Sequence, residues 1–384
     1  MDKVKLGFIA KKELDDRTQW SGTISFLKDI LSKDYEIIPI VVKDSFPKRL
    51  IRKVVKVITH NERVRFRFCP IENYKCQRLV DQAAKEGCKL YFAPAVNGLI
   101  SDIKMPAEAK LIYLSDATYH SMIDYYFFES MHNQMIGNMQ EQRALENADA
   151  IIYSSDWAKK DAITYYHIAP EKISVFPFGA NLRDCYENTQ KGNTLGRDST
   201  INLLFCGVNW KRKGADLAIE CVHILNMKDK DRKYNLTIIG LDAPEGKHYE
   251  NITFVGRLNK NNDEEYARMI EYYQKSDIFI LPTKAECSAI VFSEAAMYGL
   301  PVFTHITGGT TTYVKDRITG RCLSLGSTAE DFANSIREML DCNIYQEYSI
   351  QARKYYEEKL NWDAWQVSFN NLINSLSQGV RYAK

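Results

Sequence analysis

Short apolar, β-branched runs alternate with amphipathic stretches along the chain, in two successive series. Strands that alternate with helices in this way predict a parallel sheet covered on both faces. The first series lies at 5–10, 36–42, 89–95, 110–117, 149–155 and 173–179, and the second at 201–207, 234–240, 251–257, 277–282, 300–306 and 320–326. The sequence therefore predicts an α/β fold with two doubly wound, Rossmann-like domains.

The polar interval 181–200, between the two series, contains two glycines and has no hydrophobic periodicity. These features are typical of a linker between domains. We expect one domain over 1–180 and another over 201–361, with the segment 362–384 crossing back to the first. Ligands of open α/β sheets bind beyond the carboxyl ends of the strands, so the expected active site is a central cleft that both domains face.

The composition excludes several other classes of protein. With 45% hydrophobic and 26% charged residues and a formal net charge of +2, the chain is typical of globular proteins, and nothing demands a nucleic-acid partner. Its nine cysteines are scattered and never form a CxxC pair, which favours a reducing compartment over a disulfide framework or a zinc site. The chain begins without a signal-like segment and has no long apolar run, so we expect a cytoplasmic protein.

One segment, 46–67, departs from this charge balance, because it holds eight Lys or Arg residues and a single acid. At helical spacing its apolar residues form a stripe beside a cationic face, which is the pattern of an interfacial helix attracted to anionic lipid. This interpretation predicts peripheral contact with the inner face of the membrane. The alternative is a surface helix with an ordinary solvated face.

Glu286 and Glu294 lie eight positions apart, directly after a predicted strand. If a helix begins near Ser288, Glu286 lies in the preceding loop and Glu294 lies inside the helix, so two carboxylates can reach one ligand. The free backbone N–H groups around Ser288, Ala289 and Ile290 would suit a diphosphate. By itself the spacing is a weak signal, because two glutamates eight apart are frequent on any helix face.

A basic cluster, Lys211, Arg212 and Lys213, follows the strand at 201–207 and precedes a helix rich in Ala, Leu and Ile. Cations at the start of a helix oppose its macrodipole, so the cluster is more easily explained if it faces an anion. A diphosphate would supply that anion. A solvated basic turn is the alternative.

Further candidates lie in other loops that follow predicted strands. Gly22, between the first strand and the first helix, would let the backbone approach a phosphate, although a plain helix start explains it as well. Asp116 follows the strand that begins at residue 110, and His120, a little further on, is more readily explained as a polar residue at a helix start. The turn at 308–310 is consistent with donor contacts or with an ordinary tight turn.

In their order, these motifs resemble the family 4 retaining glycosyltransferases of the GT-B fold. The family's signature of strand, Pro-Ser or Pro-Thr, E-x7-E, Gly-x-Pro-Val and Gly-Gly is matched by LPTKAECSAIVFSEAAMYGLPVFTHITGG at 281–309. Upstream, NADAIIYSSDWAKKDAITYY at 147–166 and PEKISVFPFGAN at 170–181 are similar to two further family segments. The resemblance implies that the first domain binds the acceptor and the second domain binds the nucleotide-sugar donor.

The resemblance also implies roles for individual residues. Glu294 would hold the ribose hydroxyls of the donor, and Glu286 would contact the transferring sugar. Gly256 and Arg257 would lie beside the donor base. Ser115 or Asp116, rather than His120, stands where many family members have a histidine that contacts the sugar, and Asp116 is the preferred candidate.

For the leaving diphosphate, the resemblance implies two cations. Lys213 matches the family's lysine, which neutralises the diphosphate. The family's arginine, one residue after the strand's glycine, is replaced here by Val208, so we expect Arg212, or less readily Lys211, to substitute for it.

Together these features predict a retaining hexosyltransferase that takes a UDP- or GDP-sugar as donor and a saccharide or lipid-linked acceptor, in cell-surface glycan synthesis. Since no Asp-x-Asp stands at a strand end, we expect no metal or other cofactor; Lys213 and a helix terminus would stabilise the departing diphosphate instead. A sugar-nucleotide epimerase or phosphorylase on the same fold is one alternative, and a catalytically silent sugar-binding protein is another.

Overall fold

The computed structural model describes residues 3–17, 19–46, 49–50, 54, 70–128, 130–185, 195–196, 198–246 and 248–377. The chain forms two compact units. The first unit comprises Met1–Phe176 and Asn370–Lys384, and the second comprises Pro177–Phe369.

The first unit is built on a six-stranded parallel sheet with the strand order β2-β1-β3-β4-β5-β6. Its strands and helices, in chain order, are β1 Val4–Ala10, α1 Thr23–Leu31, β2 Tyr35–Val41, α2 Pro70–Lys85, β3 Leu90–Pro94, α3 Asn97–Ile100, β4 Lys110–Ser115, α4 Tyr119–Met122, α5 Met131–Asn147, β5 Ala150–Tyr153, α6 Asp156–Thr164 and β6 Ile173–Val175. The central strands are buried along their whole length, as helices on both faces of a sheet require.

The second unit repeats this architecture with the strand order β12-β11-β10-β7-β8-β9, again all parallel. Its elements are β7 Thr200–Cys206, α7 Trp210–Lys213, α8 Ala215–Lys228, β8 Lys233–Ile239, β9 Ile252–Gly256, α9 Asp263–Lys275, β10 Ile278–Leu281, α10 Ile290–Met297, β11 Val302–His305, α11 Thr310–Tyr313, β12 Gly320–Leu323, α12 Ala329–Asp341, α13 Tyr345–Lys359 and α14 Trp362–Ser377. Every predicted strand is found, so the predicted pair of Rossmann-like domains is confirmed.

The boundaries between the units differ by a few residues from the predicted ones, because the chain after Pro177 packs on the start of α14. The rings of Phe178 and Trp362 stack with centroids 6.0 Å apart. The indole Nε1–H of Trp362 donates a hydrogen bond to the carbonyl oxygen of Ala180 at 3.0 Å. The second unit therefore begins at residue 177 and includes 362–369, whereas the predicted boundaries lay at 180 and 361.

The end of α14 belongs to the first unit. The Asn370 amide donates to the Asp34 carboxylate at 2.6 Å and accepts from the Tyr35 hydroxyl at 2.8 Å. Half of the predicted linker, 181–200, lies outside the described residues. Among the helices of the described chain, none is both long and apolar enough to cross a membrane.

We predict that Gly179→Ala destabilises the second unit. A Cβ at this position would lie 2.6 Å from the backbone nitrogen of Trp362, which cannot move away as a flexible side chain can. Overpacking of this kind costs about 1–3 kcal/mol, and urea unfolding should show the loss. Gly326→Ala is the matched control, because nothing lies within 4 Å of its Cβ position. Equal stability of the two variants would contradict the prediction.

Candidate active site

The turn between α7 and α8 has no room for a side chain at Gly214. This glycine has a φ of 77°, and a Cβ there would lie 2.2 Å from the carbonyl oxygen of Pro282, just after β10. Strands β7 and β10 are neighbours in the sheet, so their carboxyl ends lie side by side. The close approach therefore holds α7, which ends at Lys213, against the loop that follows β10.

Lys213 and Glu286 form a hydrogen-bonded ion pair at this edge of the sheet. Both side chains are largely buried, with 10% and 7% of their surface exposed. The Arg212 guanidinium donates to the carbonyl oxygen of Ala285 at 2.7 Å and lies 3.6 Å from the Glu286 carboxylate. Two predicted phosphate ligands and one predicted sugar ligand thus meet in one cluster.

The basic cluster lies directly before the helix that it is predicted to precede, but it forms a further short helix there. Residues Trp210–Lys213 form a short helix of their own, which Asn209 caps at its start and Gly214 ends. The three cations therefore lie on the N-terminal side of α8, which begins at Ala215 with Gly214 as its N-cap. The anion that Lys213 contacts in the structure is the carboxylate of Glu286.

Glu286 and Glu294 lie where the sequence predicts, one in the loop before α10 and the other inside that helix. Helix α10 begins at Ile290 with Ala289 as its N-cap, and no side chain caps it. Ser288, Ala289 and Ile290 therefore form the start of the helix, as expected. Their contact with a diphosphate stays a prediction.

Glu294 is enclosed by two partners from the segment between β9 and β10. The ammonium of Lys260 donates to Oε1 at 2.7 Å, and the hydroxyl of Tyr273 donates to Oε2 at 2.9 Å. Only 2% of the Glu294 side chain is exposed, against 19% of Lys260. The carboxylate is therefore paired on both oxygens, and Lys260 is the more solvent-accessible of the pair.

Two groups near Glu294, the Tyr273 hydroxyl and the Cys206 thiol, have raised pKa values. Burial raises the pKa of the Tyr273 hydroxyl well above its usual value, and nearby Cys206 and Glu294 add to the shift. Burial, followed by the charge of Glu294, also raises the pKa of Cys206 to about 11. At neutral pH the Tyr273 hydroxyl therefore keeps its proton and remains a hydrogen-bond donor.

The sequence analysis did not identify Lys260 or Tyr273, although it singled out the loop that carries Lys260. In that loop Gly256 has a φ of 73°, and a Cβ there would lie 3.0 Å from a carboxylate oxygen of Asp242. The Arg257 side chain, which was expected beside the donor base, is exposed. The cation that reaches Glu294 from this loop is Lys260, and only its position three residues after Arg257 could have indicated it.

The turn at 308–310 contacts the same site through the backbone. Gly308 has a φ of 50°, and the N–H of Gly309 donates to the carbonyl oxygen of Glu286 at 3.0 Å. Thr310 begins helix α11, and its hydroxyl donates to the carbonyl oxygen of His305 at 2.9 Å. The Gly-Gly turn thereby positions the backbone of Glu286.

Two other candidates, Gly22 and Asp116, lie in the first unit and are linked by Trp20. The indole Nε1–H of Trp20 donates to the Asp116 carboxylate at 3.0 Å. Trp20, Ser21 and Gly22 have φ values of 47°, 58° and 93°, a left-handed run that only glycine adopts without strain. This hydrogen bond joins the loops after β1 and β4, and the loop after β1 has a strained backbone. Such strain is frequent where ligands bind.

His120 takes part in packing on the neighbouring helix. Its Nδ1 lies 2.8 Å from an oxygen of Asp161, and its ring stacks on Tyr165 with centroids 3.5 Å apart. This placement agrees with the expectation that His120 is a polar residue at a helix start, since α4 begins at Tyr119. The described residues include no group of three His, Cys, Asp or Glu side chains that could hold a metal, and independence from metal stays a prediction.

The two sheets and their edge loops define an α/β protein of the GT-B type. Residues 188–356 match the family model described as glycosyl transferases group 1. The match covers less than half of the chain and supports the resemblance to glycosyltransferases that the motifs indicate. D-inositol 3-phosphate glycosyltransferase of Corynebacterium aurimucosum is 25% identical over 247 residues, which cover 60% of this chain and 58% of that protein. The chain thus spans little more than half the length of such curated relatives.

Solved structures support the fold over nearly the whole chain. Sucrose-phosphate synthase from Thermosynechococcus elongatus superimposes with a TM-score of 0.66 at 16% identity, covering 98% of this chain and 100% of that one. HepE from Anabaena, in complex with UDP, gives a TM-score of 0.64 at 14% identity, with coverages of 98% and 100%. At these identities the likeness establishes the fold alone.

We predict that Lys213→Met lowers the free energy of unfolding by about 3 kcal/mol, because it leaves the buried charge of Glu286 without its lysine. Urea unfolding measures the loss. Lys284→Met, at an exposed position in the loop that carries Glu286, should stay within about 0.5 kcal/mol of wild type. The double change Lys213→Met with Glu286→Leu should recover stability, since it removes both charges. If Lys213→Met is as stable as wild type, the ion pair contributes nothing to the free energy of unfolding.

Proposed function

We propose that the chain is a retaining glycosyltransferase. It would transfer a hexosyl unit from a UDP- or GDP-sugar to a saccharide or lipid-linked acceptor in cell-surface glycan synthesis. The observation that carries this proposal is the constellation of Arg212, Lys213 and Lys260 with the glutamates Glu286 and Glu294 in the second unit. The cations would bind the diphosphate of a nucleoside-diphosphate sugar, and the carboxylates would bind hydroxyl groups of its sugar and its ribose.

The comparisons favour this chemistry over the alternatives. The matched family consists of glycosyl transferases, and the curated relative from Corynebacterium carries the same activity in its name. HepE, which has a similar fold, binds UDP. We therefore place UDP-sugars first among the candidate donors. The epimerase, phosphorylase and silent-binding alternatives have no comparable support.

In the proposed mechanism, the bond between the anomeric carbon and the diphosphate oxygen breaks while the acceptor oxygen bonds to the same face of the sugar. The acceptor proton passes to the departing phosphate oxygen, so no side-chain base is required. Lys213, with Arg212, would stabilise the charge that develops on the diphosphate. Before the donor binds, Glu286 holds Lys213, and the diphosphate would share that lysine.

The remaining candidates would complete the site. Glu286 and Asp116 would contact the transferring sugar, and Glu294 would hold the ribose. The backbone at 288–290 and at Gly22 would approach the phosphates, while Gly256 and Arg257 would lie near the base. The charge stabilisation comes from side chains and backbone N–H groups, so the proposed reaction needs no metal.

We expect turnover of at least one nucleoside-diphosphate sugar in the presence of excess chelator, because Lys213 and Arg212 occupy the role of a metal ion. The test is a hydrolysis and transfer screen across UDP-, GDP- and ADP-sugars, each with chelator and with Mg²⁺ or Mn²⁺. Turnover that appears only with added metal would refute metal independence, and no turnover of any donor would refute the proposed enzyme activity.

Glu294→Gln should raise the donor KM by about one to two orders of magnitude through the loss of charge-assisted hydrogen bonds.

Peripheral membrane contact through 46–67 remains part of the proposal, together with a cytoplasmic location. Most of this segment lies outside the described residues, but Phe46, Leu50 and Val54 are helical and are 69%, 50% and 49% exposed. Within the predicted helix, their spacing of four would place these exposed apolar side chains on one face, available to a lipid surface.

We predict that the wild-type protein cosediments with vesicles containing phosphatidylserine and that Lys48→Glu with Arg49→Glu strongly reduces the bound fraction. Each basic residue near an anionic surface contributes about 1 kcal/mol. The matched control, Lys75→Glu with Lys85→Glu on α2, makes the same charge change at exposed positions and should bind nearly as wild type does. Equal loss in both double variants would indicate a general charge effect and contradict a role for this segment.

A further inference from the structure

Glu294 carries a buried negative charge that its immediate neighbours stabilise. An ionised carboxylate with 2% of its surface exposed is costly unless it is paired and hydrogen-bonded. The ammonium of Lys260 supplies the opposite charge at 2.7 Å, and the Tyr273 hydroxyl supplies a neutral hydrogen bond at 2.9 Å. Lys260 is therefore the group that supplies the opposite charge beside Glu294.

The two contacts also fix the orientation of the carboxylate. Lys260 bonds to Oε1 and Tyr273 bonds to Oε2, so rotation of the carboxylate would break both hydrogen bonds. A carboxylate has about four lone-pair positions. One position on each oxygen is taken, and one on each remains. Two adjacent acceptors are what the two neighbouring hydroxyls of a ribose require.

Lys260 is itself held in place from a second direction. Its ammonium also donates to the carbonyl oxygen of Asn181 at 3.3 Å. The loop that carries it is fixed at its far end, where the Asn262 side chain accepts from the backbone N–H groups of Glu264 and Glu265 at the start of α9. The lysine thus has a defined position relative to the helix that carries Glu294.

We propose that Lys260 is a positioning residue for the donor ribose, acting through Glu294. With Tyr273, it holds the carboxylate turned so that each of its oxygens accepts a ribose hydroxyl. The inference rests on the proposed function, because it takes a nucleoside diphosphate as the ligand. It assigns a role to a residue outside the E-x7-E motif and the basic cluster.

Calorimetry first measures the binding of UDP and of GDP to the wild-type protein. The nucleotide that binds more tightly is then used with every variant. Lys260→Met should weaken binding of that nucleotide about 10-fold, since the carboxylate loses the partner that fixes its orientation toward the ribose. Binding of the 2′,3′-dideoxy form of the same nucleotide should be equal in Lys260→Met and wild type, because it has no hydroxyls for Glu294. A purely structural or long-range electrostatic role would weaken both nucleotides alike and would overturn the inference.

Three further variants separate the possible outcomes. Lys260→Arg, which keeps the charge, should bind within about 3-fold of wild type, and Lys275→Met should leave binding unchanged, since that lysine is a 75% exposed cation of the same unit. In the Glu294→Gln background, Lys260→Met should add no further loss, because the two residues act as one unit. Additive losses would overturn the inference, as would tighter binding by Lys260→Met, which would show that the ammonium competes with the ribose.

Two controls keep the result interpretable. Thermal unfolding checks that each variant is folded, and Lys260→Gln takes the place of Lys260→Met if the latter does not fold. If Glu294→Gln binds as wild type does, or if wild type binds neither nucleotide, the proposed ribose site itself fails, and the inference fails with it. If Glu294→Gln weakens binding and Lys260→Met does not, the inference alone is wrong.

Discussion

The buried ion pair of Lys213 and Glu286 joins two segments that leave neighbouring strands of the second sheet. Its geometry depends on the close approach of Gly214 to the carbonyl of Pro282, which brings α7 against the loop after β10. Gly309 then bonds to the backbone of Glu286, so the Gly-Gly turn is positioned by the same loop. Because neither charge is stable in the interior without the other, the edge of the sheet has one low-energy arrangement around this pair.

The fold could be predicted from the sequence because it depends on a pattern that burial imposes. Strands covered on both faces must be apolar along their length, as β3 and β10 are. Each such strand appears in the sequence as an apolar run between amphipathic helices. Glu286 and Glu294 were placed correctly in the loop and in α10 for the same reason, since both positions follow from where a strand ends. The carboxyl edge of a parallel sheet is thus accessible to sequence reasoning.

What could not be predicted depends on contacts between residues distant in the sequence. The pairing of Lys260 with Glu294 spans 34 positions, and the geometry of a loop, which carries no periodicity, decides it. The basic cluster forms its own short helix because Gly214 takes a positive φ, and the amino-acid sequence alone does not specify this φ. Likewise, the boundary at residue 177 follows from the packing of Phe178 on Trp362 across the length of the second unit.

Each glutamate of the E-x7-E pair has its own lysine, and this has a consequence for how a charged molecule would encounter the protein. Three cations, Arg212, Lys213 and Lys260, face two carboxylates, so the cluster has a net charge of only one unit. Opposite charges a few ångströms apart cancel at a distance, and the remaining field is screened within about 8 Å at physiological ionic strength. A nucleotide approaching this edge would gain little from steering, and its association rate would depend only weakly on salt. Selection among anions would take place after contact, when the oxygens of the ligand come to share Lys213 with the carboxylate of Glu286.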